Sequence, residues 1–448
     1  MTGRLTVEEV AGALEEYLGG EVLGLRRLSG GASRVTSSFD LRVGDHVRPL
    51  ILQQDRGDGV AQSGRVRTEE ALLRAARAAG VPVPEVVARG EHDQLGSGWL
   101  VVERMEGETI PRKILRDPEW AGARSALTVQ CGRALGAIHG IDPEGIEGLA
   151  PADPLRDPLP FWDALGQVRP TLEFGARWLA AHRPAEGRRV TVHGDFRTGN
   201  LLVGPDGLRA VLDWELAHAG DPAEDIGWLS APAWRFGGSG EVGGFGTLDE
   251  LLASYTAAGG EQIDHARVRW WQVYATVKWA TICALQASAH LSGATRSVEL
   301  AAIGRRVCES EWDLLGLLGV EPTPAPADLT TSDAVLPPFG RPRAAELVEA
   351  VREYLEGSVM EQGGTGVRFQ ARIARNALLT VERELRLGPA LARAHGDRLA
   401  ALGFGDDAAL AAAIRSGSMD NEQAGVAAAL AAAARDQLLV ANPGYLPS

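Results

Sequence analysis

Residues 193–225, HGDFRTGNLLVGPDGLRAVLDWELAHAGDPAED, constrain this 448-residue chain more than any other stretch. Asn200 follows Asp195 by five residues, and Asp213 follows Asn200 by thirteen, closing the apolar run Ala210-Val211-Leu212. Leu201–Val203 and Leu208–Leu212 have strand character and flank Gly204-Pro205-Asp206-Gly207, so the spacing predicts a β-hairpin. Closing that hairpin brings Asn200 and Asp213 side by side at one end. A carboxylate followed by an amide and a second carboxylate is the order of parts that phosphoryl transfer needs. One carboxylate receives the proton of the attacking hydroxyl, while hard oxygen donors hold the Mg²⁺ that bridges the phosphates. Asp195 is therefore expected as the base, with Asn200 and Asp213 as metal ligands. A lone Asp or Asn in a loop is ordinarily a turn or cap residue. The full set, with an Asp closing a strand, is hard to produce by turn chemistry.

Upstream, Leu28-Ser29-Gly30-Gly31-Ala32-Ser33 lies between two apolar segments, and the second, Val35–Val43, has strand character. A Gly-rich turn between strands lets backbone N–H groups approach phosphate oxygens, which marks Gly30, Gly31 and Ser33 as candidate phosphate contacts. Most Gly-Gly pairs are plain turns, and the downstream motif is what raises this one above them. No Walker A motif is present, so the chain is not expected to be a P-loop enzyme. Thr68–Ala79 reads as a helix stopped by Gly80, and Val81-Pro82-Val83-Pro84 leaves it in extended form. Trp99–Met105 reads as a strand running into a hinge. Ser125–His139 reads as a helix ended by Gly140, with His139 a capping or packing residue. Asp221 is expected to cap a helix that Pro222 opens.

The sequence motif HGDFRxGN…VLDWEL resembles the catalytic core of the aminoglycoside phosphotransferase family, and more closely the branch of kinase domains associated with acyl-CoA dehydrogenases. The resemblance spans roughly residues 20–320. It implies an α+β, bilobal protein-kinase-like fold, with a small β-rich lobe and a larger helical lobe, followed here by a small all-α domain. It also implies ATP and Mg²⁺ as cofactors and a small-molecule hydroxyl as acceptor, a hydroxyacyl-CoA being the one this branch suggests. By resemblance His193 positions the catalytic loop, Asp225 steadies that loop's backbone from beneath, and the segment around Glu103 holds the adenine. Glu69 falls where the family's small-lobe helix places its ion-pair Glu; the alternative is a first-turn Glu favoured by the helix dipole. Glu215 is either an aid to the metal or substrate or an exposed strand-end carboxylate.

One position departs from the family. The strand Leu50-Ile51-Leu52-Gln53-Gln54 normally presents a Lys or Arg to the α- and β-phosphates, and here the aligned residue is Gln53. A neutral amide cannot supply that point charge. Arg56, three residues on, is one substitute. A weakened kinase, or a nucleotide-binding pseudokinase that regulates a partner, is the other reading. An aminoglycoside or small-alcohol kinase is the alternative that keeps the chemistry and changes the acceptor.

The net charge of −14 argues against nucleic acid or an anionic membrane as the main partner. Cys131, Cys283 and Cys308 are far apart and form no CxxC, which suits a reducing, cytoplasmic setting. The N-terminus lacks a basic segment before an apolar core, so no signal peptide is expected; its Val7, Val10, Leu14, Tyr17 and Leu18 have helical spacing instead. Residues 271–289 are interrupted by Gln272, Lys278 and Gln286 and read as a buried helix, not a membrane span. The length implies two or three domains. The Pro-rich stretch 326–340 is expected as a linker between a kinase domain, 1–325, and a helical domain, 341–448, of unknown function. In that last segment amphipathic helices are expected around Leu347–Leu355 and Ile373–Leu385, with residues 408–434 Ala-rich and helical. Their apolar stripes must be buried within the domain, against a partner, or in a homo-oligomer.

Overall fold

The computed structural model describes residues 5–28, 34–55, 65–152, 165–324 and 341–447. The expected phosphate turn at Gly30, Gly31 and Ser33, the substitute cation Arg56 and the linker 326–340 lie outside the described residues. Compact packing divides the chain into Met1–Ala152 with Ala185–Trp271, and Asp153–Pro184 with Gln272–Ser448.

The first unit begins with helix α1 (Val7–Leu18), opened by a capping box between Thr6 and Glu9 and stopped by Gly19 at φ 67°. Strands β1 (Glu21–Arg27), β2 (Arg34–Val43), β3 (His46–Asp55), β4 (Val86–Asp93) and β5 (Gly96–Glu103) form an antiparallel sheet in the order β1-β2-β3-β5-β4. Strand alternation sends Phe39, Leu41, Leu50, Leu52, Trp99 and Val101 to one face, where they form a core with Val10, Ala13 and Leu14 of α1. The opposite face carries Arg34, Thr36, Gln53 and Asp55, since Arg34 pairs with Asp55 and Thr36 with Gln53 across β2 and β3. Helix α2 (Arg65–Ala78) buries Val66, Glu69, Leu72, Leu73 and Ala76, a stripe at helical spacing that contains one carboxylate. Gly98 lets α2 approach the sheet: a Cβ there would meet Asp55 Oδ2 at 2.6 Å and Val66 Cγ2 at 2.8 Å.

The rest of this unit is helical and frames the motif. After α3 (Pro111–Arg116), helix α4 (Ala121–His139) begins four residues earlier than expected and buries Leu127, Cys131, Leu135 and Ile138. It then holds the predicted hairpin, β7 (Leu201–Gly204) and β8 (Gly207–Val211), by its turn: Leu208 N–H donates to Gln130 Oε1 at 2.7 Å and Gln130 Nε2 donates to the Asp206 carbonyl at 3.0 Å. Short strands β6 (Val190–Val192) and β9 (His218–Gly220) pair on either side of it. Asp221 accepts from Ala223 N–H at 2.8 Å, and the helix that follows runs Ala223–Ser230. Its first helical residue is thus Ala223, one beyond the expected Pro222.

The helix His265–Leu291 is largely buried from Trp271 to Ala284, while Leu285, inside the stretch expected to be buried, is exposed. In the second unit a core of Leu315, Leu399, Leu410, Ile414, Val426 and Leu430, joined by Phe174 and Trp312, ties the helices Pro170–Ala181 and Val307–Leu317 to the C-terminal helices. The Ala-rich stretch 408–434 falls in two helices, Asp407–Ser416 and Gln423–Ala441. Gly417 adopts φ 81° and ends the first in the left-handed cap that glycine favours. The described helix long and apolar enough by composition to cross a membrane is Asp420–Ala441, half of whose window is buried inside this unit.

Candidate active site

The motif folds into one buried cluster in the first unit. Asp225 is its foundation. Fully buried, it accepts the His193 N–H at 2.8 Å on Oδ2 and the Gly194 N–H at 2.9 Å on Oδ1. His139 Nε2 reaches the same Oδ2 at 3.2 Å, and its Nδ1 lies 2.9 Å from the Tyr255 hydroxyl. Burial alone pushes the Asp225 carboxyl up, but the His139 contact and the loop amides outweigh it and hold it below the usual carboxylate range. His139, expected as a packing residue, therefore anchors the residue that anchors the loop.

Above Asp225, His193 links the two halves of the site. Its Nδ1 accepts the Asp195 N–H at 3.2 Å, so Nε2 carries the proton and donates to the Leu212 carbonyl at 3.1 Å. Leu212 N–H in turn donates to the Asn200 carbonyl at 2.9 Å. One imidazole thus fixes the backbone before Asp195 against the backbone before Asp213. Burial lowers the His193 pKa and keeps the ring neutral. Gly194 has φ 78°, and a Cβ there would meet the Leu216 carbonyl at 2.3 Å, so the turn requires glycine.

Asp195 is held from three directions. Oδ1 accepts from Arg197 Nε at 2.9 Å and Trp228 Nε1 at 2.8 Å, and Oδ2 accepts from Asn200 Nδ2 at 2.6 Å. Because the Asn200 amide nitrogen is committed to Asp195, its amide oxygen is left for another partner. Asp213 sits at the hairpin end with φ 67°, a backbone conformation Asp tolerates better than most residues. The residue is exposed to solvent, while neighbouring protein atoms crowd its carboxyl. Desolvation first, then the charges of Glu215, Asp195 and Glu69, push its pKa up to about 7. A carboxylate surrounded by carboxylates calls for a cation, and the donor set is hard oxygen. Mg²⁺ suits such a site because it needs few protein ligands and keeps its waters. Among the described residues no group of three or more His, Cys, Asp or Glu converges into a metal cage.

Two residues expected at the nucleotide are engaged by the protein itself. Glu69 is in the second turn of α2, not the first, and is buried in an ion pair: Arg34 Nη1 lies 2.5 Å from Glu69 Oε2, and Arg34 Nε lies 2.9 Å from Asp55 Oδ1. Gln53 is half-buried on the same sheet face. Glu103 ends β5, where its N–H is spent on the Glu85 carbonyl at 2.9 Å, so its amide is not open to an adenine. Glu215 is half-buried, two residues past Asp213, and its charge raises the Asp213 pKa.

The sequence reading passed over Arg34, Arg197 and Trp228. Arg197 is the most legible of them, two residues past Asp195; its guanidinium also lies 4.7 Å from the centre of the Trp234 ring. Trp228 and Trp234, with centroids 5.2 Å apart, form an aromatic wall beside Asp195 that no local pattern announces.

Comparison with known proteins agrees with this geometry. Residues 362–445 match a domain of unknown function (DUF6285), and residues 24–271, more than half the chain, match the phosphotransferase enzyme family. A mouse protein, acyl-CoA dehydrogenase family member 10, is 30% identical over 244 residues, 48% of this chain and 22% of its own length. A chicken protein, acyl-CoA dehydrogenase family member 11, is 29% identical over 224 residues, 46% of this chain and 28% of its own. The chain thus spans under a third of the curated relatives it matches. Among solved structures, a protein of Ralstonia eutropha JMP134 assigned by name to the aminoglycoside phosphotransferases aligns with a TM-score of 0.54 at 19% identity, covering 70% of this chain and 99% of its own, which shows the shared fold. With residues 24–271 matching that family over more than half of its length, this chain belongs to the phosphotransferase enzyme family.

Proposed function

We propose that this phosphotransferase moves the γ-phosphate of ATP to a hydroxyl of a small molecule, and that the acceptor is a hydroxyacyl-CoA. The observation that carries the reaction is the Asp195 carboxylate, fixed by Arg197, Trp228 and Asn200 beside a hairpin that ends in Asp213. Asp195 orients the acceptor hydroxyl and takes its proton as the oxygen attacks. Arg197, held on Asp195 Oδ1 and over Trp234, offers a cation next to the point of transfer. Asn200 and Asp213 would hold Mg²⁺, which would supply positive charge to offset that of the transferring phosphoryl group. His193 and Asp225 do no chemistry; they set the spacing between Asp195 and Asp213. Three buried free thiols, Cys131, Cys283 and Cys308, fit a reducing cytoplasm as the place of action.

The acyl-CoA acceptor is supported by the names of the two relatives, which place a matching segment in proteins called acyl-CoA dehydrogenases. Turnover of Mg-ATP against hydroxyacyl-CoAs, aminoglycosides and small alcohols tests it. Saturable phosphorylation of a hydroxyacyl-CoA alone supports the reading. Turnover confined to aminoglycosides or small alcohols overturns the acceptor and leaves the reaction. No turnover with bound Mg-ATP favours the regulatory pseudokinase.

A further inference from the structure

We propose that Arg34, on β2, supplies the cation for the nucleotide's phosphates that Gln53, on β3, cannot. The proposal rests on the Mg-ATP reading above. Arg34 and Gln53 occupy one face of the sheet, on adjacent strands, because their partners across the ladder are Asp55 and Thr36 respectively. Side chains two positions apart along a strand stand about 7 Å apart, so a long Arg side chain covers the ground a Lys at 53 would cover. The acid that the family's small-lobe helix contributes is present, and it holds Arg34: Nη1 to Glu69 at 2.5 Å.

The surroundings of this pair are those of a built site. Arg34, Glu69 and Asp55 have side chains under a tenth exposed. Burying these three charged groups, one in the apolar stripe of α2 and two on the facing strands, costs several kcal/mol unless they are paired, and similar packing is reached more easily with apolar residues. Glu69 in turn faces the catalytic acids: the charges of Glu215 and Asp55 both raise its pKa, and its own charge raises that of Asp213. Geometry agrees: Arg65, four residues before Glu69 on α2, donates from Nη2 to the Glu215 carbonyl at 3.4 Å, so the helix that holds Arg34 through Glu69 lies against the Asp213 end of the hairpin. Two of its nitrogens are committed, Nε to Asp55 and Nη1 to Glu69, while Nη2 hydrogen-bonds to none of the described residues. A guanidinium gripped at two corners is fixed in orientation, and the nitrogen that bonds to none of the described residues is the one left to meet a phosphate oxygen. Arg34 is also the residue that directly follows Gly30-Gly31-Ala32-Ser33 in sequence. The loss at position 53 is therefore a displacement of the cation by one strand.

The test measures binding of Mg-ATP, Mg-ADP and adenosine by calorimetry to the full chain and to Arg34→Gln, Gln53→Lys and the double variant. Arg34→Gln should weaken Mg-ATP and Mg-ADP by about 10–100-fold, the scale of one charge-assisted hydrogen bond, and leave adenosine unchanged. The double variant, with the cation returned to β3 beside Glu69, should regain most of the lost affinity. Circular dichroism melts accompany each variant, and Arg34→Lys, which keeps the charge, is the substitute if Arg34→Gln does not fold; it should retain most Mg-ATP affinity. Equal loss for adenosine and Mg-ATP assigns Arg34 a purely structural role and overturns the proposal. Unchanged Mg-ATP binding in folded Arg34→Gln overturns it too. If the unmodified chain binds no Mg-ATP at all, the nucleotide reading falls, and this proposal falls with it.

Discussion

Replacing Asp225 is the sharpest probe of how this site is held, because its carboxylate meets three donors and no acceptor. His193 N–H and Gly194 N–H lie at 2.8 and 2.9 Å and His139 Nε2 at 3.2 Å, all without solvent. In Asp225→Asn the amide oxygen can replace one carboxylate oxygen, but the NH₂ group then points at an N–H, and flipping the amide only moves the conflict. One hydrogen bond to a charged acceptor is lost, at about 1.5–3 kcal/mol, and one buried N–H is left without a partner. We expect a stability loss of about 2–4 kcal/mol by urea denaturation. Asp225→Ala removes both loop contacts and should cost about 3–6 kcal/mol on the same grounds. The catalytic consequence is separate. The two amides belong to the turn that carries Asp195, so folded Asp225→Asn should lose about 10²-fold in turnover, the scale of a misplaced catalytic group. Because the Asp225 pKa is held below its ordinary value, its stabilising contribution should be complete above about pH 4 and lost as pH falls further. A variant within about 0.5 kcal/mol of the parent, with full turnover, would show that the loop is held by something other than Asp225.

Asp195→Asn should keep Mg-ATP affinity and lower turnover by about 10²–10⁴-fold; near-full turnover on the true acceptor would remove Asp195 as the base. Asp213→Ala should weaken Mg-ATP binding, and unchanged affinity by titration with and without Mg²⁺ would count against it as a ligand. The pKa of Asp213 is pushed up to about 7, so in the metal-free protein it favours the protonated form below neutrality, and native stability falls as pH rises from about 4 to 7. Mg²⁺ competes with that proton, so calorimetry in two buffers should show proton release on Mg²⁺ binding near pH 6 and none near pH 9; equal release at both would refute the linkage. The division of domains at the Pro-rich stretch stays a proposal, and a chain ending at residue 325 tests it. Such a chain would strip Leu315, Phe174 and Trp312 of Leu399, Leu410 and Leu430, and would unpair Arg177 from Asp420. It should melt lower or aggregate, and a monomer of unchanged melting temperature would vindicate an independent 1–325 domain.

Local spacing made the catalytic hairpin readable, because a two-strand hairpin and its turn are built from neighbours in the chain. The turn at Pro205-Asp206-Gly207 and the apolar run up to Leu212 say where Asn200 and Asp213 meet, and β7 pairs with β8 in that register. The same holds for α2, whose stop at Gly80 needs only that residue's left-handed backbone, φ 82°. Long-range pairing was out of reach of such reasoning. Asp225 and His139 are separated by 86 residues and Arg34 and Glu69 by 35, and neither partner carries a local sign of the other. Gln53 reads as a missing charge along one strand, whereas across the β2–β3 ladder the charge is two side chains away. Composition likewise suggested a domain edge near residue 325, yet apolar side chains bury themselves against whatever surface the fold offers. The helices Pro170–Ala181 and Val307–Leu317 share a core with residues 399–430 for that reason: burial is decided by distance in space, and a sequence records only distance along the chain.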